Sequence, residues 1–161
     1  MRALVVITSG LEAPQGADLL ATCRRHGMRL AGPNCFGITV PALGLDATFA
    51  ARHPLPGTAG LVAQSGGLGF ALTDHLSGLG LGVSSFASVG NKYSVGNKYD
   101  VSANDMLMWW AQDGVTQLAV LYLESFGNPR KFARTAHRVG RIMPVLAVQA
   151  GRSPAGQRAA A

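Results

Sequence analysis

Cysteines, long apolar runs and charged residues are all scarce in this sequence. The two cysteines, Cys23 and Cys35, form no C-x-x-C pair, which argues against a disulfide-stabilised protein and favours a reduced, cytoplasmic one. No apolar run is as long as a transmembrane helix, and the apolar start LVVI is too short for a secretion signal. We therefore expect no membrane partner.

Charged residues make up only 14% of the chain against 48% hydrophobic residues, so we expect a packed core rather than disorder. The net charge of +6 favours anionic partners. Zinc-ligand spacing, an aromatic-basic RNA motif and a helix-turn-helix pattern are missing, so no nucleic-acid partner is expected. A run of basic residues is predicted to form a solvated helix face: Arg130, Lys131, Arg134, Arg138 and Arg141.

Short apolar runs alternate with helical patterns along the chain. The runs predict strands at residues 3–8, 29–32, 61–64, 83–88, 117–124 and 144–149. Helices are predicted at 15–27, 66–79, 102–113 and 128–142. A Pro- and Gly-punctuated stretch at 41–57 is predicted to be a linker between two units. The alternation indicates an α/β fold with a parallel sheet covered on both faces, and ligands beyond the carboxyl ends of its strands.

One strand-to-helix turn has the composition of an anion site. In GLVAQSGGLGFAL, at residues 60–72, a strand stops, the letters SGG follow, and a helix starts. The free N–H groups and the positive end of the helix dipole can hold a phosphate or carboxylate at Ser65, Gly66 and Gly67. The simpler alternative is an ordinary turn in which Ser65 caps the helix.

The same residues approximate the G-x-S-x-G nucleophile elbow of serine hydrolases, with Ala63 at the first position. Such an enzyme needs a histidine after Ser65, and only His75 and His137 follow it. His137 lies mid-helix among arginines, which is typical of a solvated face rather than of a catalytic base.

Glu124 stands at the mouth of the apolar strand VLYLES. A carboxylate in that place can accept a hydrogen bond from an imidazole and orient it. The alternative is that Glu124 is a loop carboxylate or a helix cap without a chemical role.

Six motifs taken together resemble one known family. They are VVITSG (5–10), GPNCFGI (32–38), GLVAQSGGLG (60–69), SFASVGNKYDVS with one hexapeptide copy counted, LAVLYLES (118–125) and PVLAVQAGRSPAGQRAAA (144–161). In this order they are similar to the CoA-ligase region of the NDP-forming acyl-CoA synthetases, relatives of the succinyl-CoA synthetase alpha subunit. The most similar subtype is the actinobacterial one, in which such a region is fused to a GNAT acetyltransferase domain.

The resemblance implies an acid-thiol ligase that uses CoA. In that family a phosphoryl group passes from an acyl phosphate to a histidine on a swinging loop. It then passes to a nucleotide, as ATP or ADP with Mg²⁺, in an ATP-grasp domain. Ser65, Gly66 and Gly67 resemble one of two helix N-termini that hold the phosphohistidine. Glu124 resembles the carboxylate that orients the histidine.

Other positions bear on CoA and on the acid. Ile7, Thr8 and Ser9 resemble the segment that contacts CoA at the end of a CoA-binding domain. Phe70 falls where the succinate enzymes carry a tyrosine near the substrate, which speaks against succinate. The implied organisation is a remnant of a Rossmann-like CoA-binding domain, a linker, and a flavodoxin-like, doubly wound domain with a parallel sheet: residues 1–40, 41–57 and 58–161.

The sequence also departs from the family. The phosphohistidine segment, the glycine-rich CoA loop and the ATP-grasp domain have no counterpart in it, and none of its 4 histidines is in a matching position. We therefore expect a fragment that is inactive alone and needs an ATP-grasp domain or subunit as partner. The alternative from another class is a non-catalytic module that senses CoA or acyl-CoA and regulates a fused acetyltransferase.

The hexapeptide SVGNKY occurs twice, at residues 88–99. The resemblance predicts one copy, so the second is an insertion, either a slipped duplication or an engineered change. We expect the first copy to end the strand at 83–88 and residues 93–95 to bulge outward. One alternative is that the second copy slips into the strand and expels residues 83–88. Another is a hinge that promotes a homodimer by domain swapping.

Overall fold

A computed structural model describes residues 2–90 and 100–150 of the chain. Within them the helices are α1 (Ala13–Arg25), α2 (Gly66–Gly78), α3 (Ala103–Trp110) and α4 (Pro129–Val139). The strands are β1 (Ala3–Val5), β2 (Arg29–Ala31), β3 (Gly37–Val40), β4 (Leu45–Thr48), β5 (Pro56–Ala63), β6 (Val83–Ser88), β7 (Leu118–Leu123) and β8 (Val145–Gln149). No helix in the described ranges has the length and apolar character needed to cross a membrane.

The strands form two separate sheets. β1 and β2 pair in parallel, and α1 connects them. The other strands form one sheet in the order β4-β3-β6-β5-β7-β8. In it β6, β5, β7 and β8 run parallel, whereas β3 pairs antiparallel with both β4 and β6. The expected α/β fold with a mainly parallel sheet is confirmed.

β5 lies inside the larger sheet, and its side chains alternate between two apolar layers. Leu61 and Ala63 pack with Phe36 and Phe86 in one cluster, on the side of α2. Val62 points into the other cluster. The residues that α3 and α4 bury in that second cluster include Leu107, Trp110 and Val139. Helices therefore cover both faces of the sheet, and the carboxyl end of β5 lies between them.

The stretch at 41–57 forms structure instead of the expected linker. β4 lies inside it and pairs antiparallel with β3, after a 3-10 turn at Pro41–Leu43. Gly44 closes this hairpin with a φ of +63°. β5 already begins at Pro56. Scarce helix signals do not exclude a short strand, because its stability comes from pairing with a neighbour rather than from its own sequence.

Three predicted elements end three residues earlier than the sequence suggested: β1, α3 and α4, the last of which stops at Val139 rather than at residue 142. β1 stops at Val5 rather than at residue 8, because the backbone beyond it pairs with a loop, and the Thr8 carbonyl accepts the N–H of Asn34 at 3.0 Å. α3 stops at Trp110 rather than at residue 113. The Asp113 carboxylate accepts the N–H groups of the two residues that follow Gly114, at 2.9 Å each, and so closes a turn after the helix.

Residues 88–90 are the part of the doubled hexapeptide that the structure describes. β6 consists of Val83–Ser88, so the alternative in which the second copy expels this strand is wrong. Gly90 has a φ of +71°, and a Cβ placed on it would lie 2.3 Å from the carbonyl oxygen of Pro33. The first copy therefore ends the strand, as expected. The predicted bulge at 93–95 lies outside the described residues.

Candidate functional site

The glycine turn and Glu124 follow the ends of neighbouring strands. β5 and β7 pair in parallel up to Ala63 and Tyr122, which lie opposite each other. Ser65 comes two residues after the first of these, and Glu124 comes two residues after the second. The structure therefore brings both predicted site segments to the same edge of the sheet, where parallel α/β proteins bind ligands.

The first turn of α2 has free backbone donors. Ser65 is the N-cap, with an extended backbone and no capping bond from its side chain. The Gly69 N–H donates to the Ser65 carbonyl at 3.0 Å, which is the first bond of the helix. The N–H groups of Gly66, Gly67 and Leu68 have no acceptor within the helix. Together with the helix dipole, they can bind an anion such as a phosphate.

The two glycines of this turn have different surroundings. A Cβ placed on Gly66 would lie 2.9 Å from the Cβ of Phe36, so this side of the turn is closed by packing. A Cβ placed on Gly67 would meet no atom within 4 Å. The open side of the turn is therefore at Gly67, where an added methyl group would meet no protein atom.

Gln64 ties the two strand ends together. Its side chain is buried, with 2% exposed. The Gln64 Oε1 atom accepts the N–H groups of Glu124 and of Ser125, the second at 2.8 Å. The backbone N–H of Gln64 donates to the Tyr122 carbonyl at 3.0 Å. Sequence reasoning missed this residue, although one signal was present: a polar residue ends an otherwise apolar buried strand.

Glu124 has a partly desolvated carboxyl group. Burial raises its pKa above the ordinary value. In the described part of the chain, no cation or hydrogen-bond donor is paired with this carboxylate to offset the burial. A carboxylate that is fixed at its backbone by Gln64 and left without a partner is available to accept an N–H from an incoming group such as an imidazole.

Replacing Glu124 by glutamine is expected to raise the free energy of unfolding slightly at pH 7. The folded-state pKa of Glu124 lies above its ordinary value of 4.5, so ionisation disfavours the folded state. This penalty develops as the pH rises from the unfolded-state pKa through the folded-state pKa, and is fully present above it. The stability gained by Glu124→Gln should therefore vanish near pH 3. It stays small at pH 7 because solvent screens the partly exposed carboxylate.

Urea unfolding of the protein and of the Glu124→Gln variant at the two pH values measures this effect. A stability difference of the same size at pH 3 and pH 7 would contradict it, because such a difference would not come from the charge.

A loop connects the turn to the predicted CoA segment. The three residues of that segment are exposed beyond β1: Ile7, Thr8 and Ser9. Their backbone is held by the loop at 32–36, in which the Asn34 N–H donates to the Thr8 carbonyl at 3.0 Å. Phe36 of the same loop packs on Gly66. The GPNCF sequence thus joins the two predicted sites, a role that its motif alone did not indicate.

The residues of the hydrolase alternative do not meet. Ser65 caps the first turn of α2, whereas His75 lies in its last turn, roughly 15 Å away along the helix axis. His137 is exposed on α4. A general base must lie within hydrogen-bond reach of the hydroxyl, and His75, at the other end of the same helix, does not.

A mainly parallel sheet with helices on both faces and a glycine turn at its carboxyl edge defines a flavodoxin-like α/β protein. Sequence comparison specifies the family. The succinyl-CoA ligase like flavodoxin domain matches residues 56–161, and the chain belongs to this family.

Similar proteins are acyl-CoA synthetases. The alpha subunit of acetate–CoA ligase (ADP-forming) I from Pyrococcus furiosus is 37% identical over 144 residues, which are 89% of this chain and 30% of that protein. Acetyl-coenzyme A synthetase 1 from Ca. Korarchaeum cryptofilum, in its apo form, superposes with a TM-score of 0.88 at 36% identity, over 99% of this chain and 35% of that one. The same synthetase in complex with phosphate and ADP superposes with a TM-score of 0.87 at 35% identity, over 99% of this chain and 34% of that one. The chain thus spans about a third of the length of these relatives.

Proposed function

We propose that this chain is part of an NDP-forming acyl-CoA synthetase, and that its glycine turn holds the phosphoryl group that is transferred. The observation that carries the proposal is the first turn of α2, whose N–H groups at Gly66, Gly67 and Leu68 lack a helical acceptor. It lies at the same sheet edge as the Glu124 carboxylate, which has no cationic partner among the described residues. Gln64 holds the backbone of Glu124 and Ser125 next to the end of β5. The similarity to a synthetase that binds phosphate and ADP supports this assignment.

The reaction would consume ATP, an acid and CoA, and would yield ADP, phosphate and an acyl-CoA. The amides of the turn donate to the oxygens of the phosphoryl group and stabilise its negative charge while it moves between a histidine nitrogen and the carboxylate of the acid. Glu124 accepts the other N–H of that imidazole and orients the ring. CoA supplies the thiol that receives the acyl group when phosphate leaves.

The remaining sequence predictions belong to the same proposal. Ile7, Thr8 and Ser9 contact CoA, since they are exposed on the backbone that the 32–36 loop links to the turn. An ATP-grasp domain or subunit binds ATP or ADP with Mg²⁺. The chain alone does not complete the reaction, and acyl-CoA formation by the isolated chain would contradict this. A cytoplasmic location, a homodimer and a fused GNAT domain stay predictions.

Replacing Gly67 by proline is expected to weaken phosphate binding by about ten- to a hundredfold. The substitution deletes one N–H that points at the ligand, and a charge-assisted hydrogen bond of that kind contributes about 1.5–3 kcal/mol. Proline is tolerated in the first turn of a helix, where its N–H has no helical acceptor. The Gly67→Ala variant is the matched control, because it keeps the N–H and its Cβ enters open space.

A titration of each variant with inorganic phosphate, followed through backbone amide NMR shifts, measures the effect. We expect the shifts to concentrate at Gly66, Gly67 and Leu68 in the unchanged protein and in Gly67→Ala. Equal affinity of the proline and alanine variants, or shifts spread over the basic surface, would overturn the assignment of the turn.

A further inference from the structure

One face of α4 is basic and borders a groove between α4 and α3. The groove has a volume of about 350 Å³ and is lined by Met108, Lys131, Arg134, Thr135 and Arg138. The four residues from α4 follow the spacing i, i+3, i+4 and i+7, which places them on one side of the helix. The Nη1 atom of Arg138 lies 4.0 Å from the sulfur of Met108 in α3. These five residues form the basic groove.

No carboxylate side chain pairs with the cations of the basic groove. All 8 aspartates and glutamates of the chain lie within the described residues, and their ion pairs there involve only Arg29 and His53 as cations. Asp100 and Asp105 line another cavity together with Lys131, but Arg29 binds both of these carboxylates. The 11 residues of α4 include no acid. The groove therefore leaves its charge available to an acid from outside the chain.

The basic groove destabilises the helix that carries it. Lys131 is the third residue of α4, near the positive end of the helix dipole, where a cation is disfavoured. Arg134 lies one turn from both Lys131 and Arg138, and like charges at these spacings repel each other. An anionic partner would relieve this repulsion. The groove thus differs from an ordinary charged surface, in which cations and carboxylates alternate.

The residue types of the basic groove fit a protein partner rather than a nucleic acid. Arginine and methionine are enriched in protein interfaces, and arginine binds a carboxylate through two parallel hydrogen bonds. Met108 offers apolar contact inside the groove, and Trp109, the next residue of α3, is 44% exposed. Among the described residues that line the groove, none has an aromatic ring on which the bases of a single strand could stack.

We propose that the basic groove binds an acidic amphipathic helix of a partner protein. Carboxylates one turn apart on that helix pair with Arg134 and Arg138, and an apolar side chain beside them packs on Met108. A helix lying in a groove is a common mode of recognition, with contacts at i, i+3, i+4 and i+7. The inference does not depend on the phosphoryl site, because that site involves α2 on the opposite face of the sheet.

The test titrates the 161-residue chain into a labelled, helical acidic peptide, three repeats of the sequence EAALEEA, and measures fluorescence anisotropy. We expect binding that weakens as the ionic strength rises. The double variant Arg134→Gln with Arg138→Gln should weaken binding about tenfold, because two exposed ion pairs are lost. The same variant should raise the midpoint of thermal unfolding by about 1–3 °C, because the repulsion on α4 is relieved.

Arg24→Gln with Arg25→Gln is the matched control, because it removes the same charge from the last turn of α1. It should leave peptide binding unchanged, since α1 does not line the basic groove. It should lower the unfolding midpoint, because cations are favourable at the negative end of a helix. Equal weakening of peptide binding by the two double variants would overturn the inference, since net charge alone would then explain the binding.

Titrations with a short DNA duplex and with phosphatidylserine vesicles decide the class of partner. If either binds more tightly than the peptide and loses this binding in Arg134→Gln with Arg138→Gln, the groove is a nucleic-acid or membrane surface and the acidic helix is wrong. Dimerisation of the chain that the same variant abolishes, measured by sedimentation, would also contradict the proposal. A peptide with alanine in place of each leucine should bind more weakly, and equal binding would show that no apolar side chain packs on Met108.

Discussion

Gly69→Ala is expected to lower the free energy of unfolding by about 1–3 kcal/mol, although alanine is the better helix former. Gly69 lies in the first turn of α2, where the helix packs on the sheet. A Cβ there would lie 2.6 Å from the nearest ring carbon of Phe86 and 2.9 Å from the Cβ of Ala63. Both neighbours are buried at 2% exposure or less and have no free space to move into. Overpacking therefore outweighs the gain in helix propensity, which is at most about 1 kcal/mol.

The control for this change lies two residues away in the same helix. Gly67→Ala makes the same substitution where the new methyl group meets open space. We expect it to be neutral or to stabilise the protein by about 0.5 kcal/mol, because it reduces the conformational freedom of the unfolded chain. Thermal and urea unfolding of the two variants give the comparison. If both alanine variants are stabilised to the same extent, α2 does not approach the sheet at Gly69 as closely as the structure shows.

Gly69→Ala should also affect phosphate binding. A helix that is pushed away from the sheet moves its free amides relative to Glu124. We expect weaker phosphate binding in this variant, whereas Gly67→Ala should retain it. This pairing of a stability loss with a binding loss tests whether the packing of α2 sets the geometry of the turn.

Gln64→Met is expected to lower the free energy of unfolding by about 2–4 kcal/mol. Methionine fills a similar volume but offers no carbonyl oxygen, so the N–H groups of Glu124 and Ser125 both lose their acceptor. An unsatisfied buried polar group costs about 1–3 kcal/mol. Because Gln64 is almost fully buried, water replaces the lost acceptor poorly.

Two measurements separate this effect from a general loss of packing. Amide hydrogen exchange should accelerate at residues 124 and 125 beyond what the global change in stability accounts for. Gln149→Leu, a substitution of an exposed glutamine on β8, should change stability by less than about 0.5 kcal/mol. Unchanged exchange at residues 124 and 125 in Gln64→Met would show that the side chain of Gln64 does not hold the β7 end.

The sequence predicted the elements that bury a regular apolar pattern. β6 was predicted with its correct bounds. The N-cap of α4 is Asn128, as proline at the next position indicates, and its side chain accepts the Lys131 N–H at 3.0 Å. These elements depend on local periodicity and capping. β4 was missed because its four residues, LDAT, carry no pattern of their own. It exists because β3 offers a strand to pair with.

The same division applies to the candidate site. The letters SGG and a carboxylate after an apolar strand determined by themselves that Ser65, Gly66, Gly67 and Glu124 were candidates. Turns, helix starts and strand ends depend on residues that are adjacent in sequence, so they can be recognised without the fold. The tertiary structure decided how these residues are combined. It placed the two segments on adjacent strand ends and used buried Gln64 to join them. It also brought the rings of Phe49 and Phe70 against the ring of Phe36, although no periodicity connects these three positions. Contacts between distant segments depend on strand order and register, and a single sequence specifies these only through the packing of the whole chain.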